Sequence, residues 1–275
     1  MKLLLTVAVL LVMLVLLLRA SENRFVFFPA KYPDGFWHPD AFGLQVEDCF
    51  FESEDGVRLH GWFVKHENPQ ATLLWCHGNA GNLSHRVDNL IKLAQLPINI
   101  FIFDYRGYGK SEGKPDEPGI YRDALAAYDY LVSRPDVDAE SLVIFGRSLG
   151  GAVAVELATQ RPCAGLILES TFTSAKDMAR SAFGFLPVHL VMKTRLNSVD
   201  KIGDLDVPML FVHGTADRVV PLRLGEKLFA VANSPKDFYK IPDADHNDTY
   251  IVGGDAYFER LGQFISSAVL HKPAR

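Results

Sequence analysis

Val143-Ile144-Phe145-Gly146-Arg147-Ser148-Leu149-Gly150-Gly151 runs from an apolar stretch, through a serine set among glycines, into a helical pattern that continues to Gln160. The pattern Gly-x-Ser-x-Gly between a strand and a helix is the context of a nucleophile elbow. Such a turn is sharp and strained. Gly146 and Gly150 leave room for the strand and helix to approach each other, and Ser148 is pushed to the apex with its hydroxyl exposed. The same residues would suit a glycine-rich turn whose serine caps a helix, but the flanking strand and helix favour the elbow.

Outward from this stretch, strands alternate with helices. Residues 46–53 and 57–65 alternate in polarity around Glu54-Asp55-Gly56, which signals a hairpin. Short apolar runs follow at 71–76, 98–103, 141–145, 164–168, 207–212 and 237–241. Runs without alternation suit strands buried on both faces of a parallel sheet. Helical patterns lie between them at 83–96, 120–134, 149–160, 222–232 and 256–270. The expected fold is therefore α/β: a mostly parallel, doubly wound sheet with an antiparallel N-terminal hairpin. Residues 171–206 form a small cap insertion, and residues 21–275 read as one catalytic domain.

Composition narrows the function. The chain has 275 residues, 48% hydrophobic and 22% charged, which excludes a disordered or low-complexity chain. With 28 basic and 33 acidic residues the net charge is −5, and no basic cluster occurs, so no nucleic-acid partner is expected. Cys49, Cys76 and Cys163 make neither a disulfide framework nor a zinc pattern, which suits a reducing compartment. No metal-ligand spacing is present, and no cofactor is expected.

In doubly wound sheets the chemistry lies beyond the carboxyl ends of the strands. A serine hydroxyl there needs a base, and the base needs an orienting acid. After an elbow serine, the acid and then the histidine follow in chain order. His271 belongs to the polar tail. His246, in the loop Pro242–Asp248, is the expected base. Asp217 leaves the run 207–212 on the same side of the sheet and is the favoured acid. Asp243, Asp245 and Asp248 are nearer to His246 in sequence but poorly aimed at it. The oxyanion donors are expected to be the backbone N–H groups of Leu149 and of Asn79, the latter in the loop His77-Gly78-Asn79-Ala80-Gly81-Asn82. His77 and His213 read as structural, hydrogen-bonded histidines. Gly107-Tyr108-Gly109-Lys110-Ser111 is not a phosphate-binding loop, because Asp104 stands where that motif needs glycine. The sequons at Asn82 and Asn247 fall in the expected active-site loops, which argues against glycosylation there.

The N-terminus is a separate object. Leu3 to Leu18 contains one polar residue, Thr6, and is flanked by Lys2 and Arg19. Its 16 residues would span about 24 Å as a helix, and snorkelling of Arg19 would extend its reach. Residues 1–20 are therefore expected to be an uncleaved transmembrane signal anchor. The competing reading is a cleaved signal peptide, but Leu18-Arg19-Ala20 lacks a small-x-small site. The flanking charges lean towards a cytoplasmic domain. Residues 24–29 either rest at the membrane interface or pack on the domain as an arm.

HGNAGN (77–82), DYRGYGKSEG (104–113), GRSLGG (146–151), ESTFTS (169–174), HGTAD (213–217) and DADHNDT (243–249) together resemble the α/β-hydrolase superfamily. Within it they are similar to membrane-anchored serine hydrolases of the bud-emergence type and to protein depalmitoylases. The resemblance implies a Ser148, Asp217, His246 triad with an oxyanion hole at Asn79 and Leu149. The expectation is a membrane-anchored serine hydrolase acting on carboxylic esters or thioesters, with a small-molecule or acylated substrate. A prolyl-oligopeptidase-like peptidase and a non-catalytic scaffold are the alternatives. Phe172, Phe183, Phe185, Leu186 and Met192 of the insertion are candidate substrate contacts. They line either an acyl channel or a closed cap.

Overall fold

Strands buried on both faces need helices on both sides, and the chain supplies them. The computed structural model describes residues 2–184 and 187–270, with the side chains of several residues near the N-terminus and of Pro187 outside the described set. Among the described residues one sheet is built from β1 (Glu47–Glu52), β2 (Arg58–Val64), β3 (Ala71–Cys76), β4 (Ile98–Asp104), β5 (Leu142–Arg147), β6 (Gly165–Glu169), β7 (Met209–Gly214) and β8 (Lys236–Ile241). The helices are α1 (Lys2–Ser21), α2 (Asn23–Val26), α3 (Val87–Leu93), α4 (Glu117–Ser133), α5 (Leu149–Gln160), α6 (Ala175–Ala182), α7 (Leu222–Val231), α8 (Thr249–Val252) and α9 (Gly254–Leu270).

The strand order is β1-β2-β4-β3-β5-β6-β7-β8. β2 runs antiparallel to both β1 and β4, and every other pairing is parallel. Alternate residues face opposite layers. Leu74 and Ile144 pack with Ala124, Leu131 and Val153 of α4 and α5. Trp75 and Phe145 pack with Leu90 of α3 and with Tyr257 and Leu261 of α9. β3 has β4 on one side and β5 on the other, so the loops after β3 and β5 diverge and open a crevice at their carboxyl ends.

The expected elements are present, and their bounds differ for local reasons. The helical pattern 83–96 divides into a 3₁₀ turn, Leu83–Arg86, and then α3. There the Asn82 side chain accepts from Ser84 N and the Asn82 N–H donates to His85 Nδ1, a reciprocal cap. α4 begins earlier than the apolar period suggests. Asp116 caps it by accepting from Gly119 N at 2.8 Å, and a proline stands in its first turn, where its missing N–H costs nothing.

The N-terminal segment, expected to span a membrane, is helical. Residues 2–21 form a helix, yet among the described residues no helix is long and apolar enough to cross a membrane. Lys2 and Arg19 lie near the two ends of α1, and Thr6 donates to Lys2 O within its first turns. The segment after α1 and α2 is laced onto the domain. Ala30 N donates to Gly81 O, Gly81 N to Phe28 O, Tyr32 N to Gly109 O and Gly109 N to Ala30 O. This arm therefore packs on the loops after β3 and β4.

Candidate active site

β5 ends at Arg147, and Ser148 follows with φ 53° and ψ −116° before α5 begins. A non-glycine residue in this region is strained, at a cost of about 1–3 kcal/mol. Neighbours hold the turn. Ser148 N donates to Glu169 O at 2.9 Å, and Thr171 Oγ1 donates to Ser148 O at 3.0 Å. The glycines are required by close approach: a Cβ on Gly150 would overlap the Cys76 carbonyl, and one on Gly151 would overlap the Thr171 side chain. The elbow is thus wedged between the ends of β3 and β6.

His246 lies in the loop between β8 and α8. Its Nε2 is 3.1 Å from Ser148 Oγ, and its Nδ1 is 2.8 Å from Asp217 Oδ2. Asp217 leaves the end of β7 and is 7% exposed. Burial alone would raise its pKa. Hydrogen bonding from His213 and His246, with the N–H groups behind it, overcomes that and holds the carboxyl well below its ordinary range. Asp217 Oδ1 accepts from Val219 N at 2.9 Å and Val220 N at 2.7 Å. His213 Nε2 donates to Val220 O and sits 3.4 Å from Asp217 Oδ2. It is a structural histidine, as expected, set directly behind the carboxylate. Asp245, a rejected candidate, accepts from Arg218 and from His246 N instead.

Asn79 and Leu149 border the same cavity as Ser148. The Leu149 N–H is in the first turn of α5 and has no acceptor within its helix. The Asn79 side chain is engaged elsewhere: Nδ2 donates to Val26 O at 2.6 Å, while Oδ1 accepts from Phe28 N and from Tyr108 Oη. It therefore ties the N-terminal arm to the loop after β3, a role the sequence did not disclose.

The cavity beside Ser148 measures about 730 Å³. Phe172, Phe183 and Met192 border it; Phe185 and Leu186 lie outside the described residues. Among the described residues no group of His, Cys, Asp or Glu could hold a metal ion.

A sequence profile for the family described as serine aminopeptidase, S33, matches residues 67–199. The alpha/beta hydrolase domain-containing protein WAV2 of Arabidopsis thaliana is 37% identical over 91% of this chain and 89% of its own length. The protein bem46 of Schizosaccharomyces pombe is 35% identical over 90% of this chain and 87% of its own. The chain belongs to the α/β-hydrolase superfamily. An esterase of Pyrococcus furiosus shares the fold, with a TM-score of 0.74 over 88% of this chain and 97% of its own, at 20% identity.

Two parts of this α/β hydrolase's site escaped the sequence reading. The first lies beneath the elbow. Arg147 pairs in register with Glu169 and donates from Nε to its carboxylate at 3.0 Å. Arg147 Nη2 also donates to His246 O and to Asn247 Oδ1. Thr249 Oγ1 and Tyr257 Oη donate to Glu169. Burial, with Glu169 beside it, pushes the Tyr257 hydroxyl well above its ordinary pKa, so it stays a donor. One buried network thus ties the elbow strand to the histidine loop. Its signal was present, since a charge ends each of two neighbouring apolar runs.

The second is the arm. Glu22, 8% exposed, accepts from Lys193 N at 2.8 Å and Thr194 N at 2.7 Å. Arg19 Nε donates to Val191 O at 2.9 Å. Phe25, Val26 and Phe28 form one wall of the cavity, and Met178, Val188 and Met192 of the cap form another. Residues 19–28 and the cap are therefore stapled together around the opening.

Proposed function

We propose that this α/β hydrolase is a serine hydrolase of acyl esters or thioesters, held at a membrane by its N-terminal helix. The observation that carries the reading is the chain of contacts Asp217–His246–Ser148 opening into an apolar cavity. Ser148 Oγ attacks the carbonyl carbon, and His246 Nε2 takes the hydroxyl proton. Asp217 keeps the other ring nitrogen protonated. The N–H groups of Leu149 and Asn79 receive the developing oxyanion. His246 returns the proton to the leaving group, and water then releases the acyl group from the serine.

Membrane attachment is supported by the surface of α1. Leu5, Leu10, Met13, Leu16 and Leu17 are each between 59% and 66% exposed. Several large apolar side chains uncovered on one helix suit an interaction site, and lipid is the matching solvent. The opening beside Phe25 and Phe28 lies at the end of that helix. The flanking charges of the helix favour a domain on the cytoplasmic side.

The family description of a serine aminopeptidase raises a second reading. Such an enzyme needs a carboxylate to hold the substrate's α-ammonium group. Glu22 is the carboxylate among the described lining residues, and both of its oxygens already accept backbone N–H groups. That favours the ester reading.

The test is to express the full chain and its Ser148→Ala variant, isolate membranes and treat them with a fluorophosphonate. Labelling of the wild-type chain in the carbonate-resistant fraction, abolished by the substitution, is expected. The kcat/KM should rise from acetyl to octanoyl esters, by roughly a factor of four per buried methylene at about 0.8 kcal/mol each until the cavity is filled. An unlabelled serine, a soluble labelled chain or a profile peaking at acetyl each removes the corresponding part of the proposal.

A further inference from the structure

The cavity holds more positive charge than its apolar walls need. Its described charged residues are Arg19, Glu22, Arg86 and Arg147. Arg147 is used by Glu169 and the His246 loop, while Glu22 and Arg19 staple the arm to the cap. Arg86 is left over. One hydrogen bond engages its guanidinium, from Nη2 to Ala80 O. Its Nε is buried without a partner.

Two carboxylates, Asp88 and Asp104, act on Arg86 electrostatically, and no hydrogen bond joins either of them to its guanidinium. Asp88 accepts from Tyr250 Oη, and Asp104 Oδ1 accepts from Leu83 N. Burial, together with repulsion from Arg147, pushes the Arg86 guanidinium down to about 10. A half-buried cation whose buried Nε has no partner is costly and calls for an explanation.

Position gives one. Arg86 bonds to the loop after β3, which also holds Asn79. It also sits within electrostatic reach of Tyr250, which follows the His246 loop. Arg86 lines the same cavity as Ser148 and His246. The apolar residues Met178, Ala179, Val188 and Met192 come from the cap. The cavity therefore has apolar walls suited to a chain and a cation, Arg86, in the lining it shares with Ser148 and His246.

We infer that Arg86 forms a subsite for an anionic group, a phosphate or a carboxylate, carried on the leaving alcohol or thiol of an acyl substrate. This rests on the ester-hydrolase reading and narrows its substrate class. A guanidinium presents several N–H donors in a plane and suits such oxygens better than a neutral headgroup.

The test separates binding from turnover. In the Ser148→Ala chain in detergent, the dissociation constants of monooleoyl glycerophosphate, monooleoylglycerol and O-oleoyl glycolate are measured. They are measured again after adding Arg86→Gln or Arg86→Lys. The expected result is tighter binding of the two anionic ligands than of the neutral one. Arg86→Gln should reduce that preference by about tenfold to a hundredfold, the usual weight of hydrogen bonds to a charged group, and Arg86→Lys should reduce it less. A common loss from a displaced Ala80 loop cancels in the ratio. Equal binding of neutral and anionic ligands, or a preference that survives Arg86→Gln, overturns the subsite. A preference confined to the glycerophosphate identifies phosphate as the anion. Turnover of the same esters by the wild-type chain is scored separately. If it is absent while the Arg86-dependent preference persists, the hydrolase reading fails and the subsite stands.

Discussion

Replacing Asp217 by asparagine tests the site at its least obvious point. Asp217 Oδ1 accepts two backbone N–H groups, from Val219 and Val220. An asparagine must therefore keep its carbonyl oxygen there and place its NH₂ where Oδ2 now faces His246 Nδ1. Two donors cannot share that 2.8 Å contact. The imidazole is driven to the tautomer with Nδ1 bare and Nε2 protonated. Nε2 then points a proton at Ser148 Oγ, 3.1 Å away, and cannot accept one. The geometry of the site survives while its base is lost. A wrong tautomer of this kind costs about 10⁴ in kcat, or roughly 5.4 kcal/mol of barrier. The assay is steady-state hydrolysis of a chromogenic ester by purified wild type, Asp217→Asn and Asp245→Asn, with thermal melts to show that each is folded. Asp245→Asn should cost less than about tenfold, since that carboxylate serves Arg218 and a backbone N–H. Asp217→Asn within tenfold of wild type, or Asp245→Asn the more damaged, would falsify the assignment of the acid.

Glu22→Gln weakens the staple between arm and cap, because its NH₂ must face one of two backbone donors that are now both satisfied. If Phe25 and Phe28 then swing away from about four chain methylenes, the palmitoyl-to-acetyl ratio of kcat/KM should fall by roughly a hundredfold; an unchanged ratio means that the arm is no part of the acyl wall. The depressed pKa of Asp217 fixes the sign of a pH effect. The ionised carboxylate's stabilisation is complete above the unfolded value of about 3.9 and is lost as pH falls towards the lower folded value. The melting-temperature advantage of wild type over Asp217→Asn should therefore hold from pH 7 to about 5 and shrink only below about pH 4, and a gap that stays constant down to pH 3 contradicts it.

The central sheet was legible because it is buried on both faces. Apolar runs such as 98–103 and 207–212 carry no alternation to confuse, and the Gly-Ser-Gly spacing marks the turn between β5 and α5. His246, Asp217 and Ser148 could be expected to meet because each stands just beyond a strand end, where the topology delivers side chains to one crevice, and they do lie within hydrogen-bonding distance there. Helix starts were less legible. Asp116 and Asn82 begin their helices through side-chain caps, and the apolar period gives no sign of either. The cavity wall was the least legible. Arg19 and Glu22 meet Val191, Lys193 and Thr194 across about 170 residues of sequence, and no local pattern records such a contact.

These hidden contacts do related work. A strained serine keeps its conformation only where the surroundings over-determine it, and here the restraints reach the same turn from different elements. Glu169 supplies a backbone acceptor to Ser148 N and a carboxylate to Arg147. Arg147 then reaches the carbonyl of His246, so the elbow and the His246 loop share one buried ion pair. Removing either partner would leave a buried charge uncompensated and free the histidine loop together with the turn. Asn79 performs the matching task on the opposite wall, fixing the arm through Val26 and Phe28 to the loop that carries the second expected oxyanion donor. The position of the arm, and with it the shape of the cavity, is thus mechanically joined to the loop beside the nucleophile. The same loop also meets the arm through its backbone, Gly81 N donating to Phe28 O and Ala30 N to Gly81 O, so arm and loop are held as one unit.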